Sequence, residues 1–200
     1  MNEAVAALKR LQLRELPDGP QPIEAHCDLC GRSMPEEHRH LLQLEERALM
    51  CVCESCYALR SGEAEFRPTG SRVVWLDGFG MPDELWARFG IPIGLAFFLS
   101  TTDRVVALYP SPVGATESDI DMTAWAELRR RNPELAEMDS ESEVLIVDRI
   151  ARPARYAIAP TDEAYRLVGL VKSHWEGITG GSGVRTAVDG FFEELRERTA

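Results

Sequence analysis

The sequence predicts an α+β fold: a small cysteine-rich module followed by an antiparallel sheet with helices packed on one face. Three observations predict it. All five cysteines lie between positions 27 and 56, four of them as two Cys-x-x-Cys pairs. Beyond residue 70, apolar runs rich in aromatic and β-branched residues come in pairs joined by short gaps, which favours hairpins over parallel crossovers. Hydrophobic residues make up 44% of the 200, so a core of ordinary size forms without disulfides.

Taken in order, residues 1–22 read as a helix and linker. Val5, Leu8 and Leu11 share one face of a helix over 3–15, and Pro17-Asp18-Gly19-Pro20 breaks it. Residues 23–67 form the cysteine module. Within it Leu49 to Cys53 reads as a short strand leading into the second pair. Each pair is expected on a tight turn at a strand end. Gly31 suits the first turn because it adopts positive φ at little cost, whereas Tyr57 holds the equivalent place in the second.

Residues 68–200 form the α+β domain. A strand is expected over Arg72 to Leu76, and a helix over Pro82 to Phe89 with Gly90 past its end. Strands over Ile93–Ser100 and Arg104–Tyr109 flank the gap Thr101-Thr102-Asp103, and Pro110 and Pro112 end the second. Residues 110–118 then read as a long irregular polar loop. Thr123 is a candidate cap for a helix ending at Asn132-Pro133. Strands follow over Glu143–Ile150 and Arg155–Ala159. Thr161 or Asp162 caps the next helix, whose stripe is Ala164, Val168, Val171 and Trp175. Gly180-Gly181-Ser182-Gly183 reads as a flexible loop. The last helix carries Val184, Val188, Phe191, Phe192 and Leu195 on one face.

The cysteines are the one strong chemical signal. Cys27, Cys30, Cys53 and Cys56 supply four thiolates at a spacing suited to one tetrahedral ion, so 23–67 reads as a zinc-ribbon-like metal module. Zinc suits the set because it has no geometric preference of its own and accepts four soft sulfurs. Iron is the alternative, as a mononuclear site or a cluster, since both take the same thiolates. Spacing does not separate the two metals.

Cys51 has two readings. It is a small buried apolar residue, or it is a spare thiolate facing the site, because positions i and i+2 of a strand share a face. His26, His38 and His40 lie in the same module. They are surface residues or further metal partners, whether as ligands or as hydrogen-bond donors to sulfur.

Other function classes find less support. The net charge of −11 argues against nucleic acid, which needs a basic face. Arg129-Arg130-Arg131 reads as a solvated helix end. The first residues carry no secretory pattern, and no apolar run approaches the roughly 20 residues of a membrane span, so a cytoplasmic protein is expected. Clustered cysteines there are metal ligands or redox thiols rather than disulfides. No Gly-x-Ser-x-Gly, His-Glu-x-x-His or phosphate-cradling motif is present. His174 reads as a helix-end residue favoured by the dipole. Thr116, Glu117 and Ser118, in the 110–118 loop, are candidate ligand-binding residues or a capped turn.

Three blocks together carry a resemblance: CDLCGRSMPEEHRHLLQLEERALMCVCESC from Cys27, IPIGLAFFLSTTDRVVALYPSPVGATES from Ile91, and AYRLVGLVKSHWEGITGG from Ala164. The chain resembles, from about residue 22 onward, a bacterial domain family of unknown function whose genes lie beside those of uptake nickel–iron hydrogenases and their maturation factors. That resemblance brings no established activity and implies a neighbourhood, hydrogenase biogenesis or its electron-transfer chain. With the four-thiolate spacing and the absent catalytic motifs, it leads to the expectation of a non-enzymatic accessory protein with a protein partner, a hydrogenase subunit or a maturation factor. It brings no catalytic residues; the cysteines at 27, 30, 51, 53 and 56 carry over as the metal site. An iron-binding electron-transfer or iron-delivery protein is the alternative, and a ligand-binding or enzymatic α+β domain is a further one.

Overall fold

The computed structural model describes residues 25–101, 104–176 and 181–199. The helix expected over 3–15, Thr102-Asp103 and Gly180 lie outside the described residues. The elements run β1 (Ala25–His26), β2 (Ser33–Met34), β3 (Arg39–Gln43), β4 (Ala48–Val52), α1 (Glu54–Arg60), β5 (Phe66–Pro68), β6 (Val74–Trp75) and α2 (Asp83–Arg88). There follow β7 (Leu95–Ser100), β8 (Val105–Ser111), β9 (Gly114–Ser118), α3 (Met122–Arg131), a 3₁₀ turn at Pro133–Ala136, β10 (Glu143–Asp148), β11 (Arg155–Pro160), α4 (Thr161–Ser173) and α5 (Gly181–Glu197).

The α+β class and the antiparallel sheet hold. Six strands in the order β6-β11-β10-β7-β8-β9 pair antiparallel throughout. The helices, however, cover both faces of this sheet rather than one. The central strands alternate with period 2. Phe97, Leu99, Val144 and Ile146 pack with Val168, Val171, Phe191 and Phe192 of α4 and α5. Phe98, Leu145, Val147 and Ile158 pack on the opposite face with Leu85, Phe89, Trp125 and Leu128 around α2 and α3. The near-continuous apolar runs LAFFL and EVLIV are the sequence trace of double coverage. Phe98 anchors the second face, stacked 5.5 Å from Trp125 and 5.0 Å edge-on to Phe89.

Several local expectations are corrected. Residues 110–118 are a hairpin, not an irregular loop: β8 continues through Pro110 to Ser111 and returns as β9, with Ser111 opposite Gly114. Pro110 is tolerated because β7 pairs with β8 only as far as Leu108, so no bond to β7 is lost there. Gly114, at φ +126°, makes the turn possible. Asp121, not Thr123, caps α3; its Oδ1 accepts from the N–H groups of Thr123 (2.8 Å) and Ala124 (3.3 Å). Thr161 is buried and its hydroxyl donates to Glu141 O rather than capping α4. Gly181–Gly183 open α5, and Trp175 lies past the end of α4.

The cysteine module carries a three-stranded sheet in the order β4-β3-β5. Adjacent residues of β3 point to opposite faces. Leu41 joins a small cluster with Cys27, Met34, Val52 and Phe66. Leu42 enters the main core beside Phe97 and α4. Polar contacts repeat this join. Arg67 Nε lies 3.1 Å from Glu141 Oε2, Arg47 pairs with Glu117, and the Tyr165 hydroxyl donates to Arg47 O.

Candidate metal centre

The first Cys-x-x-Cys pair is built on a turn. Gly31 N–H donates to Cys27 O (2.8 Å) and Cys27 N–H to Arg32 O (2.8 Å), with Gly31 at φ +70°. The second pair differs from the expectation. Cys53 is the N-cap residue of α1 and Cys56 sits in its first turn, with Tyr57 N–H donating to Cys53 O at 2.9 Å. Tyr57 is an ordinary helical residue, so no glycine is needed. A helix N-terminus presents unpaired N–H groups to anions, which suits a thiolate.

The four sulfurs of Cys27, Cys30, Cys53 and Cys56 all lie within 4.8 Å of one another. Cys30 Sγ and Cys53 Sγ are 3.8 Å apart. All five cysteines are free thiols. A disulfide would need about 2.05 Å. Four sulfurs held about 2.3 Å from one tetrahedral centre stand about 3.8 Å apart, so the donor set fits a zinc-sized ion.

Electrostatics prepare the site unevenly. Burial opposes ionisation of Cys27, but the backbone N–H groups of Cys53, Cys30 and Leu29 outweigh it and hold the thiol down at about 6. The backbone N–H of Cys56 lowers Cys53 as well. Desolvation and the neighbouring sulfurs of Cys30, Cys53 and Cys27 push Cys56 up to about 12. The cluster thus gives up its first protons readily and its last reluctantly. A divalent cation is the charge that lets all four ionise together.

The remaining sequence candidates separate. His38, His40 and Cys51 form a second group whose ligand atoms lie within 4.8 Å of one another. His40 stands directly opposite Cys51 in the β3–β4 ladder. Cys51 is half-buried and belongs to this group, not to the four-thiolate set. Burial, with Asp28 and Cys27 adding to it, pushes its thiol up. His26 is exposed on β1 and belongs to neither group. Thr116, Glu117 and Ser118 lie on the edge strand β9, where Thr116 Oγ1 donates to Ser111 Oγ (3.1 Å) and Glu117 pairs with Arg47 and Arg104. His174 is exposed at the end of α4, 2.9 Å from Leu170 O through Nδ1.

Two residues to which sequence reasoning gave no role at the cysteine cluster shape the module. Asp28 Oδ2 accepts from Cys51 N–H (2.6 Å) while Asp28 N–H donates to Cys51 O (2.9 Å), tying the first turn to β4. Asp162, read only as a candidate cap, places Oδ2 3.0 Å from His40 Nδ1. Asp28 could have been suspected from its place inside the first pair. Nothing in the sequence links positions 40 and 162.

The model of a family of unknown function, DUF5947, matches residues 26–199. The chain belongs to this family. The match takes in both cysteine pairs, the second His/Cys group and the whole six-stranded sheet, so in this DUF5947 protein the cysteine module and the α+β domain fall within one family unit. No curated protein and no solved structure matches the chain. Among the described residues no helix is long and apolar enough to cross a membrane. A cleft of about 870 Å³ beside Phe79, Arg152, Arg185 and Arg196 shares no lining residue with the cysteine module.

Proposed function

We propose that this protein is a metal-binding accessory protein in which Cys27, Cys30, Cys53 and Cys56 hold a structural zinc ion while the α+β domain engages a protein partner. The observation that carries the reading is the sulfur cluster itself, four free thiols within 4.8 Å of one another, of which Cys30 and Cys53 stand 3.8 Å apart, the edge of a zinc–thiolate tetrahedron. Four protein ligands close the coordination sphere, which favours a staple over a reactive centre. The partner we propose is a component of nickel–iron hydrogenase assembly. That part rests on the resemblance of the three sequence blocks. Two measurements test the reading separately. Protein purified under reducing conditions is expected to be colourless and to carry zinc. A protein that holds no metal overturns the zinc assignment, and a coloured, bleachable one replaces zinc with iron. Deletion of the gene is expected to lower hydrogenase activity; unchanged activity removes the assembly role.

A further inference from the structure

The geometry points to a second, open metal site formed by His38, His40 and Cys51, separate from the four-thiolate set and braced by Asp162 of the α+β domain. Three arguments carry it. The first is placement. His40 on β3 and Cys51 on β4 stand opposite each other and share a face of the hairpin, and His38, immediately before β3 and two positions from His40, brings its ring to the same place. Their ligand atoms lie within 4.8 Å of one another and the two imidazole centroids are 4.8 Å apart.

The second is the state of the rings. His38 Nδ1 lies 3.1 Å from Pro35 O, and a carbonyl only accepts, so Nδ1 carries a proton and, in the neutral ring, Nε2 has the lone pair. His40 Nδ1 lies 3.0 Å from the Asp162 carboxylate, which fixes the same tautomer. Carboxylate or carbonyl partners on the far nitrogen are how metal-bound imidazoles are held in place. The third is an unmet demand. His38 Nε2 is buried and has no hydrogen-bond partner among the described residues. Buried nitrogens are rarely left so. A cation at the centre of the group would satisfy it.

Two imidazole nitrogens and one thiolate suit a borderline divalent ion of the zinc class. Ligands at about 2.0–2.3 Å bring the donors to about 3.3–3.8 Å from one another, a closure of about 1 Å that side-chain rotation supplies. Three protein donors leave the fourth position for water or a small exchangeable ligand, unlike the closed four-sulfur site. Because Asp162 begins α4 on the main sheet, loading this site also ties the module to the α+β domain.

Zinc itself is the probe, added to the full chain under reducing conditions, followed by desalting, metal counting and iodoacetamide mapping by mass spectrometry. The wild type is expected to retain two zinc ions per chain. Cys51→Ser, and His38→Ala with His40→Ala, are each expected to retain one, with Cys27, Cys30, Cys53 and Cys56 still protected. In the double-histidine variant Cys51 becomes reactive although the first site is loaded, which separates ligation from mere burial. Asp162→Asn is expected to weaken the second zinc about 10–100-fold and leave the first unchanged. One zinc per wild-type chain, with Cys51 equally reactive in the wild type and the double-histidine variant, overturns the proposal. Free reaction of the other four cysteines, with Cys51 alone protected by zinc, instead sinks the four-thiolate reading and leaves this one standing.

Discussion

Removing zinc from the four-thiolate site should open the cysteine module while the six-stranded sheet stays folded. The perturbation is a strong chelator at neutral pH, or Cys30→Ser, which replaces the exposed sulfur of the set. Among the described residues the module has a small apolar cluster of its own, with Cys27, Met34, Leu41, Val52 and Phe66 as its buried members, and one of these belongs to the four-cysteine set. The main domain has two larger clusters, one on each face of its sheet, and neither contains a cysteine. A structural zinc contributes about 10–16 kcal/mol in small metal-dependent folds, comparable to or above the whole stability of an ordinary domain. Docking through Leu42 and the ion pairs retains part of the module's order, so only a fraction of that energy need appear locally. Even about 4 kcal/mol corresponds to roughly a thousandfold faster amide exchange. Hydrogen exchange read by mass spectrometry is therefore expected to show protection lost across β3, β4 and α1 and kept across β7, β10 and β11. Unchanged protection of β3 and β4 after verified zinc loss would falsify the staple role. Equal loss across both sheets would show that the two parts fold as one unit.

Three further outcomes are expected. Leu42→Ala removes a fully buried side chain that joins the module to the main core, and should lower stability by about 2–5 kcal/mol in denaturant titration while leaving zinc content unchanged. Phe98→Ala takes away the ring packed on Trp125 and Phe89 and should cost about 3–5 kcal/mol, read as a lowered thermal midpoint; a loss below about 1 kcal/mol would refute its place at the centre of that face. Burial disfavours the charged form of Glu143, but two bonds from Arg72 (2.8 and 2.9 Å) and one from Asp139 N–H (3.0 Å) hold its carboxyl below the usual glutamate range. Its folded-state pKa is depressed, so its stabilisation is present above the ordinary glutamate pKa and is lost as pH falls through the folded value. Glu143→Gln should therefore cost about 1.5 kcal/mol at pH 7, the low end for charged hydrogen bonds because Arg72 is part-exposed, and the gap to wild type should narrow in acid.

Local features were legible wherever one element carried its own signal. The paired cysteines named the four residues that the fold clusters, because a tetrahedral ion needs four donors and the spacing offered no other set of that strength. Gly31 marked its turn because only positive φ closes it. Ile93–Ser100 and Glu143–Ile150 read as strands because their apolar runs are short and bounded by turn residues. The double coverage of the sheet was written in the same runs, but such a run alone does not say how many layers lie over it. Residues 110–118 were misread because prolines break strands in general; whether one is tolerated depends on which neighbour the strand still has at that point. The second cysteine pair was misread because Cys53-Glu54-Ser55-Cys56 looks the same on a turn and on a helix start.

The sequence by itself determined the α+β class, the four cysteines that come together as the first candidate metal site and the order of most elements, since these follow from periodicity, turn chemistry and donor count within short windows. Only the tertiary structure decided the rest. It set Cys51 with His38 and His40 instead of with its four neighbours, because strand register, not sequence proximity, chooses which side chains share a face. It brought Asp162 to His40 across a separation of 122 residues, a contact that exists only once the module has docked on the sheet.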